Sequence, residues 1–188
     1  MLPPGLRVAI LGSSSFHHPE NRLTCQELGR ALAEIPDFVL LTGGVRGVGE
    51  TVGRAFHQVF EVLGAPAHVF HVLPKGPHQW DYGPTLYIGT TMEHRREVLG
   101  RLAGCYIVIE GGPGTEHESE VALSRGALVI PVGRSGGHAA VLHARGPRPA
   151  TIVESTWVAL GSTEASPTKI VDAVMKAVGT WASRRAGR

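Results

Sequence analysis

The sequence predicts an α/β fold, a three-layer sandwich with a mainly parallel sheet and helices on both faces. Three observations predict it. Short apolar runs of strand length alternate with longer segments of helical periodicity. The runs are apolar throughout rather than at every second residue, as strands buried on both faces are. The order strand, glycine turn, helix recurs at least three times. With 188 residues, 43% of them hydrophobic, the chain is expected to form one domain over residues 1–188.

Arg7-Val-Ala-Ile-Leu11 is the first strand, ending in Gly12-Ser13-Ser14-Ser15. Residues 21–35 carry Leu23, Leu28, Ala31, Leu32 and Ile35 at helical spacing, and Pro36 closes that helix. Phe38-Val-Leu-Leu41 is the second strand, followed by Thr42-Gly43-Gly44 and a helix over 48–63 that stops at Gly64. Ala67–Leu73 is a third strand, and 74–89 a loop rich in Pro, Gly and aromatics. Thr90 and Glu93 have the spacing of a capping box for a helix over 91–103. Cys105–Ile109 is a strand leading into Gly111-Gly112-Pro113-Gly114-Thr115 and a helix over 116–126. Strand Leu128–Val132 follows, then a short helix opened by Ser135-Gly136-Gly137, a last strand at Thr151–Val153, and a helix over 167–182 with Pro167 at its start.

Composition excludes several classes. Cys25 and Cys105 have no metal or redox spacing. A net charge of +2 is too weak to argue for nucleic acid, and the Arg184, Arg185, Arg188 cluster reads as a solvated end. No apolar run reaches the ~20 residues of a membrane span. Met1–Gly5 lacks the features of a signal peptide, so a cytoplasmic protein without a membrane partner is expected. Three lysines stand against 15 arginines, and the planar guanidinium is the better fork for phosphate and carboxylate. Among ten histidines, His68 and His71 lie three apart on a strand and so point to opposite faces, while His17 and His18 are adjacent and diverge. No metal site is expected.

In parallel sheets ligands sit beyond the carboxyl ends of the strands. Here those ends carry Gly12-Ser13-Ser14, Thr42-Gly43-Gly44 and Gly111–Thr115. Glycines let backbone N–H groups approach a ligand, and the following helix offers its positive end to an anion. The Gly43-Gly44-x-x-Gly47-x-Gly49 cluster is no Walker loop, because no Gly-Lys-Ser/Thr follows, and the first strand lacks a dinucleotide fingerprint. Arg95 falls on the apolar stripe of Met92, Val98, Leu99, Leu102 and Ala103, where a charge needs a partner. That partner is a ligand or a structural salt bridge. Glu118 either caps its helix with Thr115 or faces the ligand across the loop. Trp80, Tyr82 and Tyr87 offer faces for base stacking or for packing within their loop.

Met92-Glu-His-Arg95-Arg96, followed without a gap in spacing by Glu110-Gly-Gly-Pro-Gly-Thr115-Glu-His-Glu118, resembles the LONELY GUY family of cytokinin-activating phosphoribohydrolases, also labelled lysine decarboxylases. The resemblance takes in Gly12-Ser13-Ser14 and Thr42–Glu50, and so covers roughly residues 7–132. It implies a Rossmann-like domain, a homodimer, and hydrolysis of the N-glycosidic bond of a nucleoside 5′-monophosphate to free base and ribose 5-phosphate. Arg95 and Glu118 would be the catalytic pair. Gly12, Ser13, Ser14, Thr42, Gly43, Gly44, Met92, Arg96, Gly111, Gly112, Gly114 and Thr115 would bind the nucleotide and its phosphate. No cofactor is implied. Pyridoxal phosphate chemistry is set aside, since Lys169 and Lys176 lie in the terminal helix and only Lys75 is near a strand end. Several positions differ from the family pattern: Glu110 stands where the family has proline, His117 for its first glutamate and Arg96 for lysine, and its Gly-Gly-Gly-x-x-Gly-Leu-Met-Gly becomes Thr42-Gly-Gly-x-x-Gly47-Val-Gly49-Glu50. Glu50 looks more like the related molybdenum-cofactor carriers, which makes a non-catalytic carrier or sensor of a phosphorylated ligand the alternative.

Overall fold

Six parallel strands form one sheet in a computed structural model that describes residues 2–186. Arg188 lies outside them. The strands are β1 (Leu6–Gly12), β2 (Phe38–Thr42), β3 (Val69–Leu73), β4 (Thr85–Tyr87), β5 (Cys105–Ile109) and β6 (Leu128–Val132), in the order β4-β3-β2-β1-β5-β6. The helices are α1 (Pro19–Leu32), α2 (Val48–Val62), α3 (Met92–Leu102), α4 (Pro113–Ser124), α5 (Gly137–Arg145), α6 (Glu154–Gly161) and α7 (Pro167–Ala186). They cover both faces, so β2, β5 and β6 are buried at every residue. This is the Rossmann-like three-layer architecture that the apolar runs predict.

One core lies on each side of the sheet. Val8, Ile10, Leu40, Ile107 and Ile130 point to one, with Leu28, Phe56, Val174 and Trp181 from α1, α2 and α7. Ala9, Leu11, Val39, Leu41, Tyr106 and Val108 point to the other, with Leu99 of α3, Ala122 of α4 and Ala139 of α5. The period-2 alternation of each strand sorts its side chains between the two. Pro131 sits inside β6 without cost to the ladder, because β6 is an edge strand paired only with β5.

Several elements depart from the sequence reading. The loop over 74–89 contains β4, which adds in parallel to β3 at Thr85–Tyr87; three residues carry too little pattern to be seen. Thr151–Val153 is not a strand. Ile152 is buried, and Val153 is the N-cap of α6, a helix the sequence did not suggest. The cap of α3 is Thr91, whose hydroxyl accepts from the His94 amide, rather than Thr90. The helix expected from 116 begins at Pro113, a residue well suited to a first turn. The expected helix over 21–35 runs from Pro19 to Leu32. No helix among the described residues is long and apolar enough to cross a membrane.

Trp80 and Tyr82 pack against each other and fold their loop back onto β3 and α2. They lie against His71, and Arg54 sits over both rings. His71 is fully buried, with Nδ1 2.8 Å from Thr42 Oγ1 and Nε2 2.8 Å from the Tyr82 carbonyl. The carbonyl can only accept, so the ring carries its proton on Nε2 and Nδ1 accepts from the Thr42 hydroxyl. Burial pushes the His71 pKa down to about 4 from an ordinary 6.5. A depressed histidine pKa means the unfolded chain takes up the proton first. This contribution to stability is therefore complete above pH 6.5 and lost as the pH falls toward 4, on the order of 3 kcal/mol in all. Urea denaturation across that window should show the loss in the wild type. His71→Gln, which keeps a donor for the Tyr82 carbonyl, should show a markedly flatter profile.

Candidate functional site

The chain reverses its winding between β1 and β5, which are neighbours although far apart in sequence. Helices leaving the two strands diverge to opposite faces, and a crevice opens at their carboxyl ends. A cavity of about 450 Å³ lies there. Gly12 brings its walls together: a side chain at that position would run into the Ile109 carbonyl and Val48. The Ser13 hydroxyl accepts from the Gly111 amide at 2.9 Å, and the Ser13 carbonyl accepts from the Val48 amide at 3.0 Å. The loop after β1 is thus tied to the loop after β5 and to the start of α2.

One wall of the cavity is the amino end of α4. Gly112 is its N-cap, Pro113 opens the first turn, and Gly112, Gly114 and Thr115 line the space. First-turn amides have no partner within the helix and carry its positive dipole end. Arg96 reaches over this turn, near enough that a Cβ on Gly114 would come within 3.0 Å of its Nε. Ser14, Ser15 and His17 face it from the loop after β1. The first-turn amides and the Arg96 guanidinium give this wall a positive potential, the chemistry that suits an oxyanion.

The floor holds the Arg95–Glu118 pair. Both residues line the cavity, yet they are only 3% and 6% exposed. Arg95 Nη1 donates to Glu118 Oε1, while Arg95 Nε, also buried, has no partner among the described residues. Burial pushes the Glu118 carboxyl above the ordinary carboxylate range, and the Arg95 and Arg96 charges oppose that push. Glu118 lies four residues past Gly114, a rise of ~6 Å along the helix. It does not cap α4 with Thr115, because the cap is Gly112.

Most residues named from sequence meet here: Gly12, Ser13, Ser14, Gly43, Met92, Arg95, Arg96, Gly112, Gly114, Thr115 and Glu118 line the cavity. Thr42 and Gly44 do not. The Thr42 hydroxyl is held by His71 and the Gly44 amide, and Gly44 packs on Leu73. Gly111 shapes the loop at φ 98° and spends its amide on Ser13. Glu50 turns to Arg54 at 3.2 Å, and His117 to Glu97 at 2.9 Å.

The sequence reading missed the supporting network around Glu110. This carboxylate is fully buried and accepts from the amides of His17 and His18 and from Asn21 Nδ2 at 2.7 Å. Asn21 also donates to the Ser135 carbonyl, and the Glu110 amide donates to Ser135 Oγ at 2.7 Å. The only signal was Glu110 itself, an acidic residue closing an otherwise apolar strand.

Residues 5–156 match the family model described as LDcluster4, the SLOG cluster4 family. No curated protein matches significantly. Among solved structures, the chain is similar to the structural-genomics protein TM1055, with 28% identity and a TM-score of 0.60 over 74% of this chain and 81% of that one. It is also similar to the molybdenum cofactor binding protein of Rippkaea orientalis, at 22% identity and a TM-score of 0.56 over 67% and 75% of the two chains. The Moco carrier protein of Chlamydomonas reinhardtii shares 18% identity and a TM-score of 0.55 over 94% and 99%. The last two likenesses concern the fold.

Breaking a buried pair strands a charge, at a cost of about 3–5 kcal/mol. Arg95→Ala should lower stability by that order in chemical denaturation. Arg95→Ala with Glu118→Ala together should cost less than the sum of the single changes, because no carboxylate is left unpaired.

Proposed function

The chain belongs to the SLOG cluster4 family, and we propose that it binds a nucleoside 5′-monophosphate and hydrolyses its N-glycosidic bond. The observation that carries this reading is the placement of the buried Arg95–Glu118 pair one helical turn beyond an anion cradle, in the same cavity. A 5′-phosphate held by the first-turn amides of α4 and by Arg96 puts the ribose over the pair. The Arg95 guanidinium retains a buried Nε donor with no acceptor among the described residues.

Glycoside cleavage passes through an oxocarbenium-like state. The bond from C1′ to the base nitrogen breaks with its electron pair going to the base, which takes up a proton from solvent. Water adds to C1′ and gives a proton to the Glu118 carboxylate, which returns it to solvent and so regenerates the site; the negative charge of Glu118 also stabilises the cation. The products are free base and ribose 5-phosphate. Arg95 keeps the carboxylate ionised and oriented.

A second reading is a carrier or sensor that holds a phosphorylated ligand without turning it over. It is favoured by the closure of Glu118 onto Arg95, which leaves the carboxylate less free to take a proton from water. Two of the structural neighbours are a carrier and a binding protein for the molybdenum cofactor.

One experiment separates the two readings. The protein is incubated with a panel of nucleoside monophosphates, and free base is measured by chromatography. Turnover by the wild type and its loss by about a hundredfold or more in Glu118→Gln, with nucleotide binding retained in calorimetry, supports hydrolysis. Binding without release of any base establishes the carrier reading. Under hydrolysis the rate should rise with pH through a titration above the ordinary carboxyl range, since burial raises Glu118 and the ionised form is the active one.

A further inference from the structure

At the opposite edge of the sheet, where β1, β5 and β6 begin, lies a second cavity of about 420 Å³. Four arginines from four separate elements line it: Arg7 of β1, Arg101 of α3, Arg125 just past α4 and Arg185 of α7. No acidic side chain is among its described walls. Arg101 is paired with Glu97 at 3.0 Å. Arg185 lies over the Trp181 ring, and Arg7 makes one long contact of 3.5 Å with the Pro3 carbonyl.

A structural explanation accounts for part of this charge. Arg101, Arg125 and Arg185 stand at helix carboxyl ends, where a cation offsets the dipole. Each end supplies roughly half a negative charge. Three ends and the Glu97 carboxylate together make about two and a half negative charges against four guanidinia, so a positive excess remains. The arginines converge on one small space rather than spreading over the surface. Gly104 permits the convergence: a Cβ there would stand 2.6 Å from Arg185 Nη1 and 2.9 Å from the Trp181 ring.

We propose that this cleft is a second anion site, taking a small polyphosphate, either as inorganic pyrophosphate or as the diphosphate of a nucleotide. Planar guanidinia approaching from several sides suit a ligand with oxygens on two phosphorus atoms. The volume fits a small molecule and not a polymer groove. The ligand would bridge the far ends of α3 and α4, the helices that carry Arg95 and Glu118 at their other ends.

Calorimetric titration at constant ionic strength, with inorganic pyrophosphate and ADP as separate arms, tests the proposal. The Trp181 indole N–H resonance, assigned by Trp181→Phe, reports on the cleft. Saturable binding that shifts this resonance is expected for at least one probe, and it should weaken about tenfold or more in Arg125→Ala/Arg185→Ala. The double Lys variant should recover part of the affinity, whereas Arg96→Ala, at the carboxyl end of the sheet, should leave the Trp181 shift unchanged even where it weakens binding of ADP in the first cavity. A shift with both probes assigns recognition to the diphosphate alone, and a shift with ADP alone assigns it to the nucleotide. Absence of a saturable shift with either probe, or equal affinity in the double Ala variant, overturns the proposal.

Discussion

The carboxylate of Glu110 is the contact on which the cavity at the carboxyl end of the sheet depends. It directly follows the central strand β5, is wholly buried, and takes three donors from the chain around β1 and α1. Its amide and carbonyl are committed as well, to Ser135 Oγ and to the Ala139 amide. A buried carboxylate without donors would cost several kcal/mol. The loop after β1, the start of α1 and the segment leading into α5 must therefore come to it. Once they do, Ser13 reaches Gly111, α4 starts where its first turn faces the crevice, and Glu118 falls beneath that turn.

Two charge strategies coexist within a few residues. Glu110 is satisfied by neutral donors and is structural. Glu118 is satisfied by one guanidinium whose buried Nε finds no acceptor among the described residues, and it lines a cavity. The difference in partners, not in burial, separates scaffold from candidate chemistry. The helices bearing the pair span the molecule, so α3 and α4 present a carboxylate and a guanidinium at one edge of the sheet and a cluster of guanidinia at the other.

Much of this was legible in the sequence because the relevant signals are local. Apolar runs of four or five residues gave β1, β2, β5 and β6 to within one residue at each end. Arg95 on an apolar stripe announced a buried charge, and the family resemblance set Glu118 beside it as the other half of a pair. What escaped depended on distant contacts. β4 is three residues long and exists because β3 offers an open edge. Thr151–Val153 reads as a strand by composition, but Ile152 is buried as the chain turns into α6 rather than by joining the sheet. Thr42 sits at a strand end among glycines, yet the buried His71 claims its hydroxyl. The Asn21–Glu110–Ser135 network joins residues 114 positions apart at its widest, and no pattern in one sequence links them.

Glu110 adopts φ 55°, a region closed to proline, whose ring fixes φ near −65°. The glycine-rich loop of the resembling family carries proline at this position, so the two loops cannot be exchanged one residue at a time. Proline placed here would have to move the backbone and would leave Asn21 and two amides without their acceptor. Asn21, Glu110 and Ser135 each hold a hydrogen-bonding group of another member of the trio. A change at one of them orphans a polar group on the others, so the three behave as a single residue spread over distant parts of the chain, whatever the cavity binds.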